Sequence, residues 1–396
     1  MEIIIFKKNE ITFDIFKNKD PFSIIKYTDI SSLKNEEYGN FKDLDQTKAR
    51  LDLLDRNAEK NRRAAAKYLH EYELVKVICK KQVISRAYFK LYEIIYFEQI
   101  ILQETCDCFF ICEAPGGFIE CVTDIRRKKN LRTKYISISK YDQFIKYGNY
   151  FEENNLLYGD ITDISTLHRT IQTTQQRFPN GLDLITADGG FDVKIFIAQE
   201  IISSKLLLCE MYLALHTQKI GGTFVIKFFD MFTHNSIIYY LLLCSFYQYV
   251  KIIKPKTSRN CNSERYLVCY NFKGKNSLLH DIKNIIENFC INDSTFTLVY
   301  PTFDFKTISL SKLSIFNNLI LYEQIKTINE SIKMVNTKDT YFQNLLLGIF
   351  MEHKSPLILN KLHNILLFKN ILFTRIKKCI EFLRTYNINI NQIQFN

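Results

Sequence analysis

Residues 109–118 read Phe109-Phe110-Ile111-Cys112-Glu113-Ala114-Pro115-Gly116-Gly117-Phe118. An apolar run, then small residues and a proline, then an amphipathic stretch to Arg127 predict a strand that turns sharply into a helix. The chain has 396 residues and only 12 glycines. Nine of the 12 fall between Gly116 and Gly222, and six form the doublets Gly116-Gly117, Gly189-Gly190 and Gly221-Gly222. Glycine is costly to order and is kept where the backbone needs φ > 0 or must approach something closely. The chemistry is therefore expected in the middle third.

Outward from this turn, short apolar runs alternate with helical segments. The strands expected are Cys106–Cys112, Tyr135–Ser139, Leu156–Tyr158, Leu182–Ala187, Thr223–Phe229, Val250–Lys254 and Tyr266–Tyr270. Between them lie helical runs at Phe118–Arg127, Ile164–Arg177, Ile195–His216 and Ser236–Phe246. This alternation predicts an α/β fold, a Rossmann-like sheet of parallel strands with helices on both faces. Three regions follow: residues 1–80, a basic and mostly helical extension; 81–275, the α/β domain; and 276–396, a mainly helical region whose single glycine is Gly348, with a break at Val299-Tyr300-Pro301.

In such sheets ligands bind at the carboxyl ends of strands. The first doublet opens a helix there and suits a close-fitting ligand. It is not Gly-x-Gly-x-x-Gly, which disfavours a dinucleotide and excludes a nicotinamide-dependent dehydrogenase reading. The second doublet follows a strand in Ala187-Asp188-Gly189-Gly190, so Asp188 faces the same crevice, although a strand-end aspartate also serves as a turn or cap residue. The third is expected to close a helix before Thr223-Phe224-Val225-Ile226-Lys227. A lysine inside that apolar run is costly to bury without a carboxylate partner, unless it snorkels at an edge.

Lysine and arginine exceed aspartate and glutamate by 11. An excess of this size suits a polyanion such as nucleic acid, and equally a basic surface that aids solubility. The basic stretch Lys60, Arg62, Arg63, Lys67 reads as a solvated helix face or a phosphate contact. The 11 cysteines include no Cys-x-x-Cys pair, and Cys106 and Cys108 alternate as in a buried strand. Free structural thiols are expected, not zinc ligands or any other metal site. The opening Met-Glu-Ile-Ile-Ile-Phe is too short for a signal peptide, and Ile237–Phe246 is too short to span a bilayer. A soluble, cytoplasmic, reducing-compartment protein is expected.

Two more segments complete a pattern: Ser85-Arg86-Ala87-Tyr88-Phe89-Lys90, and Lys254-Pro255-Lys256-Thr257-Ser258-Arg259-Asn260-Cys261-Asn262-Ser263-Glu264-Arg265-Tyr266. Together with the doublets, in this order, they resemble the FtsJ-like RNA ribose 2′-O-methyltransferases over roughly residues 81–272. The family's ordered Lys–Asp–Lys–Glu tetrad falls on Lys90, Asp188, Lys227 and Glu264. The resemblance implies a fold that binds S-adenosylmethionine, with Pro115, Gly116, Gly117 and Phe118 in the cofactor loop, Asp160 and Ile161 near the adenine, and Asp188 near the transferred methyl. It implies that Lys227 deprotonates or electrostatically activates the 2′-hydroxyl, that Asp188 orients Lys227, and that Lys90 and Glu264 hold the ribose. Many members carry an acidic residue where Phe110 stands; Glu113 lies close by.

Arg86, Lys254, Lys256, Ser258, Arg259 and Asn262 are the expected RNA contacts, mainly to phosphate, which position RNA without reading its sequence. Lys-Pro…Ser-Arg…Asn-Ser-Glu is most similar to the branch that methylates the first transcribed nucleotide of capped mRNA, members of which occur in large cytoplasmic DNA viruses. Capping or transcription machinery are the partners this implies. The rivals are methylation of an internal ribose of ribosomal or transfer RNA, and a degenerate methyltransferase fold acting as an RNA-binding scaffold.

Overall fold

The computed structural model describes residues 4–7, 23–25, 34–54, 56–100, 102–140, 153–190, 196–291, 297–299, 309–335 and 369–390. Gly348 and the Tyr300-Pro301 break lie outside them. Along the chain come β1 (Ile4–Lys7), β2 (Ser23–Ile25), α1 (Lys42–Asp52), α2 (Arg56–Leu69), α3 (Val75–Ile78) and α4 (Ala87–Phe97). The central run is β3 (Asp107–Ile111), α5 (Gly117–Arg127), β4 (Lys134–Ser139), β5 (Leu156–Tyr158), α6 (Ile164–Arg177), β6 (Leu182–Ala187), α7 (Gln199–Thr217) and β7 (Gln218–Phe228). Then follow α8 (His234–Phe246), β8 (Tyr247–Ile253), β9 (Arg265–Phe272), α9 (Leu278–Ile291), β10 (Thr297–Val299), α10 (Ser309–Val335) and α11 (Lys369–Thr385). No described helix is long and apolar enough to cross a membrane.

The main sheet has the order β1-β8-β9-β7-β6-β3-β4-β5. Alternate residues of each strand point to opposite faces, and both faces are covered. Phe109, Ile111, Ile185, Phe224 and Ile226 join the side chains of α6, α7 and α8 in one core. Cys108, Phe110, Leu184, Val225 and Val268 join those of α4, α5 and α11 in the other. Phe110 is fully buried there, edge-on to Tyr135. The expected α/β sheet with helices on both faces is what forms.

Three expectations change. The strands are not all parallel: β9 runs antiparallel to both β7 and β8. Residues 1–80 are not only helical, since β1 pairs antiparallel with β8 at the sheet edge and β2 pairs with β10, which itself lies in the region expected to be helical. The third doublet lies within β7 instead of ending a helix, because α7 already stops at Thr217. Gly221, at φ +85°, sits where the β6–β7 register jumps, from Leu182 opposite Gln218 to Leu184 opposite Thr223. A bulge of this kind needs a left-handed residue and re-aims the strand beyond it.

The flanks meet each other. α10 packs against α1 and α2, and Phe41, Leu44, Leu51, Phe232, Leu321, Ile328 and Ile332 form a third apolar cluster. A buried polar network fixes this layer to the sheet. Arg265 is 1% exposed and donates to Asn317 Oδ1 of α10 at 2.5 Å, and it pairs with Asp230. Lys48 of α1 pairs with the same Asp230. Asn317 Nδ2 donates to the carbonyls of Tyr38 and Met231 at 2.6 and 2.9 Å. Buried charges persist when paired and hydrogen-bonded in this way.

Candidate active site

Strand direction assembles the site. β6 ends at Ala187, so Asp188 stands at the carboxyl edge of the sheet. Lys227 is the penultimate residue of β7 and reaches the same edge. Phe228 pairs with Arg265, so an antiparallel β9 begins at that edge and places Glu264 beside Lys227. A parallel strand would have started at the opposite edge. Lys90 arrives from α4, which covers the sheet face on which Val225 lies, the same alternation class as Lys227.

Lys227 Nζ donates to the carbonyl of Asp188 at 2.7 Å and meets Asp188 Oδ1 at 3.1 Å. Lys90 Nζ meets both carboxylate oxygens of Glu264 at 2.8 Å. Burial depresses the Lys227 ammonium, but the carboxylates of Asp188, Glu264 and Glu210 outweigh it and hold its pKa above the ordinary lysine value. Burial opposes Glu264 ionisation too, yet the charges of Lys90, Lys227 and Lys254 bring its pKa down to about 2. The alternation of charge keeps Lys227 cationic and Glu264 anionic at neutral pH.

Supporting groups without a role in the sequence reading surround these four. Tyr266, opposite Lys227 in the β7–β9 pair, donates its hydroxyl to Asp188 Oδ1 at 2.9 Å. Glu210 of α7 accepts from the Gly189 N–H at 3.1 Å, and burial pushes its carboxyl up to about 8. The strand alternation could have revealed Tyr266, because Glu264 and Tyr266 are two residues apart. Nothing local marks Glu210.

The glycines also take specific roles. Gly116 has φ +104° and is the N-cap of α5. A Cβ on Gly117 would lie 2.3 Å from Ser85 Oγ and 3.0 Å from the Ala87 Cβ, so this glycine admits the start of α4. A Cβ on Gly189 would lie 2.2 Å from Glu210 Oε1, whereas one on Gly190 would meet the Lys227 Nζ at 3.2 Å. The first two doublets thus let helices and the lysine close on the sheet edge.

On the cofactor side the expected residues separate. Phe118 is fully buried against Tyr266, and its N–H is accepted by Glu113 Oε2 at 3.3 Å, so its ring does not line a cleft. Burial, then the Asp188 charge, push the Glu113 carboxyl well above its ordinary value. Ile161 is 2% exposed in the core, which leaves only its backbone for a ligand. Pro115 is half-buried and follows a cis peptide bond. Asp160 accepts from the Thr162 N–H and hydroxyl at 3.0 and 2.7 Å and pairs with Lys140 at 3.2 Å. It does not cap α6: Asp163 does, accepting from the Thr166 N–H at 2.8 Å.

Most of the expected phosphate contacts have partners within the protein. Arg259 holds Glu73 through Nε and Nη2 at 2.8 and 2.7 Å, and Arg86 pairs with the same carboxylate and donates to the Thr257 carbonyl at 2.7 Å. Lys254 donates to the carbonyls of Asn262 and Glu264 at 2.8 and 2.7 Å, and burial takes its pKa down to about 8. Ser258 is 1% exposed. Glu93 accepts from the Lys256 and Thr257 N–H groups at 2.8 and 3.2 Å. These contacts shape the loop that carries Glu264, and of the expected RNA contacts only Lys256 and Asn262 keep exposed side chains. In α2, Glu59 accepts from Arg62 at 2.7 and 2.8 Å and from Arg63 at 2.8 Å.

A cavity of about 220 Å³ opens in front of Lys227 and Glu264. Its walls include Gly190, Phe229 and Asn262 from the α/β domain, Arg62 from α2 and Gln324 from α10. Among the described residues no cluster of three or more His, Cys, Asp or Glu side chains could hold a metal ion, and Cys106 and Cys108 are free, buried thiols.

A sheet of this order, with lysine–carboxylate pairs at its carboxyl edge, defines an α/β fold of the methyltransferase type. Residues 83–272 match the model of the FtsJ-like methyltransferase family, and this part of the chain is an FtsJ-like methyltransferase domain. Cap-specific mRNA (nucleoside-2′-O-)-methyltransferase 2 of Drosophila melanogaster is 29% identical over 250 residues, 57% of this chain and 35% of its own length. Cap-specific mRNA (nucleoside-2′-O-)-methyltransferase 1 of Homo sapiens is 34% identical over 217 residues, 48% of this chain and 25% of its own. The chain therefore spans about a third or less of these relatives.

Proposed function

We propose that the chain transfers a methyl group from S-adenosylmethionine to a ribose 2′-hydroxyl of RNA, and that its substrate is the first transcribed nucleotide of capped mRNA. One observation carries the chemistry: Lys227 is held by Asp188 while Lys90 is held by Glu264, and both Lys227 and Glu264 line one cavity. The cap preference rests on the names of the relatives. The catalytic unit is residues 81–275, with 1–80 and 276–396 as flanks that shape its substrate side.

The residues suit the cofactor. Asp160 and Asp188 place carboxyl groups at the ends of β5 and β6, complementary to a sulfonium and to ribose hydroxyls. Gly116 opens α5 with no side chain in the way. Bound there, S-adenosylmethionine supplies a methyl group on a cationic sulfur for in-line displacement.

A 2′-hydroxyl is a weak acid and a poor nucleophile. Lys227, cationic beside Asp188 and Glu264, favours the developing alkoxide electrostatically, and the hydroxyl proton passes to water as the methyl is transferred. Asp188 fixes the direction of that ammonium, and Lys90 with Glu264 holds the ribose so that the oxygen lines up with methyl and sulfur. Lys256 and Asn262 are the RNA contacts that remain available on the loop.

The test is transfer of labelled methyl to short capped and uncapped RNAs, with nuclease mapping of the product. Label on the first ribose of capped RNA alone is expected. Label on an internal ribose, or on none, overturns the reading, as does full activity in Lys227→Ala.

A further inference from the structure

The cavity in front of Lys227 has one wall that the FtsJ-like domain does not supply. Gln324 of α10 lines it, is 1% exposed, and has no hydrogen-bond partner for its Oε1 among the described residues. A buried amide oxygen left unpaired costs stability, and a donor entering the cavity would relieve that cost once the flexible side chain turns toward it. The cationic groups nearby do not fill it, because Lys48 is paired with Asp230 and Arg62 with Glu59.

The position of Gln324 follows from the buried network. Asn317 is locked to Arg265 and to two carbonyls of the core. Gln324 comes seven residues later, two helical turns along the same face of α10. Ile328, one turn further, also lines the cavity. The network that fastens α10 to the sheet therefore also fixes the distance from Gln324 to the lysine–carboxylate edge.

Two aromatic rings complete the chamber. Phe196 and Phe229 line it, and the Phe229 ring centroid lies 5.8 Å from Lys227 Nζ. Aromatic faces beside an unfilled acceptor suit a nucleobase, which stacks on one and donates an edge N–H to the other.

We propose that Gln324 is a specificity residue. It accepts a hydrogen bond from the base of the nucleotide whose ribose lies against Lys227, and so strengthens binding of that nucleotide. This rests on the methyl-transfer reading above.

The experiment compares two capped RNAs that are identical except at the acceptor nucleotide. One carries its base there; the other is abasic and keeps the 2′-hydroxyl. Wild type should show a KM about tenfold lower for the base-bearing RNA, the scale of one buried hydrogen bond. Gln324→Met should raise KM for that RNA by about tenfold, leave kcat and the abasic KM unchanged, and keep cofactor affinity. Gln324→Glu, which retains an acceptor oxygen, should recover most of the loss. An equal KM for both RNAs in wild type, or an equal loss on both in Gln324→Met, overturns this inference alone. No methyl transfer to either RNA by wild type removes the methyltransferase reading and this inference with it.

Discussion

Tyr266 and Lys227 face each other across the antiparallel β7–β9 pair and share one oxygen: Asp188 Oδ1 lies 2.9 Å from the phenol and 3.1 Å from the ammonium. The carboxylate that orients the lysine is thus itself oriented by the neighbouring strand. Tyr266→Phe removes one hydrogen bond and should lower single-turnover methyl transfer by about three- to tenfold. Lys227→Ala removes the charge itself and should lower it by about a hundredfold or more. Equal effects of the two would show that Tyr266 does more than hold Asp188.

Gly189 is constrained by Glu210, not by open space. Gly189→Ala would drive a Cβ to 2.2 Å from Glu210 Oε1 and 2.9 Å from Leu206 Cδ2. A stability loss of about 1–3 kcal/mol is expected, with activity falling as the Asp188 turn shifts. A Cβ on Gly190 would meet Lys227 Nζ at 3.2 Å without the overlap seen at Gly189, so Gly190→Ala should melt closer to wild type than Gly189→Ala. Thermal denaturation of both variants checks the contrast.

Asp160 and Asp163 sit three residues apart with different roles. Asp163 caps α6, so Asp163→Ala should cost about 1 kcal/mol of stability and leave cofactor binding intact. Asp160→Ala should do the reverse, weakening S-adenosylmethionine binding about tenfold with little change in melting temperature, as the loss of hydrogen bonds to a charged group predicts. Calorimetric titration and a melting curve on each variant decide it; unchanged affinity removes Asp160 from the cofactor site.

Acid should loosen the site from the basic loop. Glu264 and Glu73 are both held at about 2 against an ordinary 4.5. Burial opposes this; Lys90 and Lys227 outweigh it for Glu264, and Arg259 and Arg86 for Glu73. A carboxylate with a depressed folded pKa contributes stability that is complete above its ordinary value and is lost as pH falls through the folded one. The melting temperature should therefore drop between pH 4.5 and about 2. Glu264→Gln should flatten part of that drop, and a variant with the same slope as wild type would contradict the assignment.

Much of the fold was legible because strand and helix periods are local. The expected bounds of Leu156–Tyr158, Leu182–Ala187 and Ile164–Arg177 coincide with β5, β6 and α6. Strand direction was not legible in the same way. An apolar run such as Tyr266–Tyr270 has no polarity, and the antiparallel β9 follows from its loop and its neighbours. The partners of the basic loop were not legible for a related reason: Arg259 is as basic in sequence whether or not it meets Glu73, which lies 186 positions away.

The sequence by itself determined the two-faced sheet, the glycine turns and the four charged residues in order along the chain. Those features depend on side-chain period and backbone freedom, which neighbouring residues set. Only the tertiary structure decided that Lys90 meets Glu264 across 174 positions. It alone turned most of the loop's charges inward and brought Gln324 to the cavity by way of Asn317 and Arg265. Charge pairing acts through a few ångströms of space, and which charges become neighbours is fixed only when strand direction and helix docking are complete.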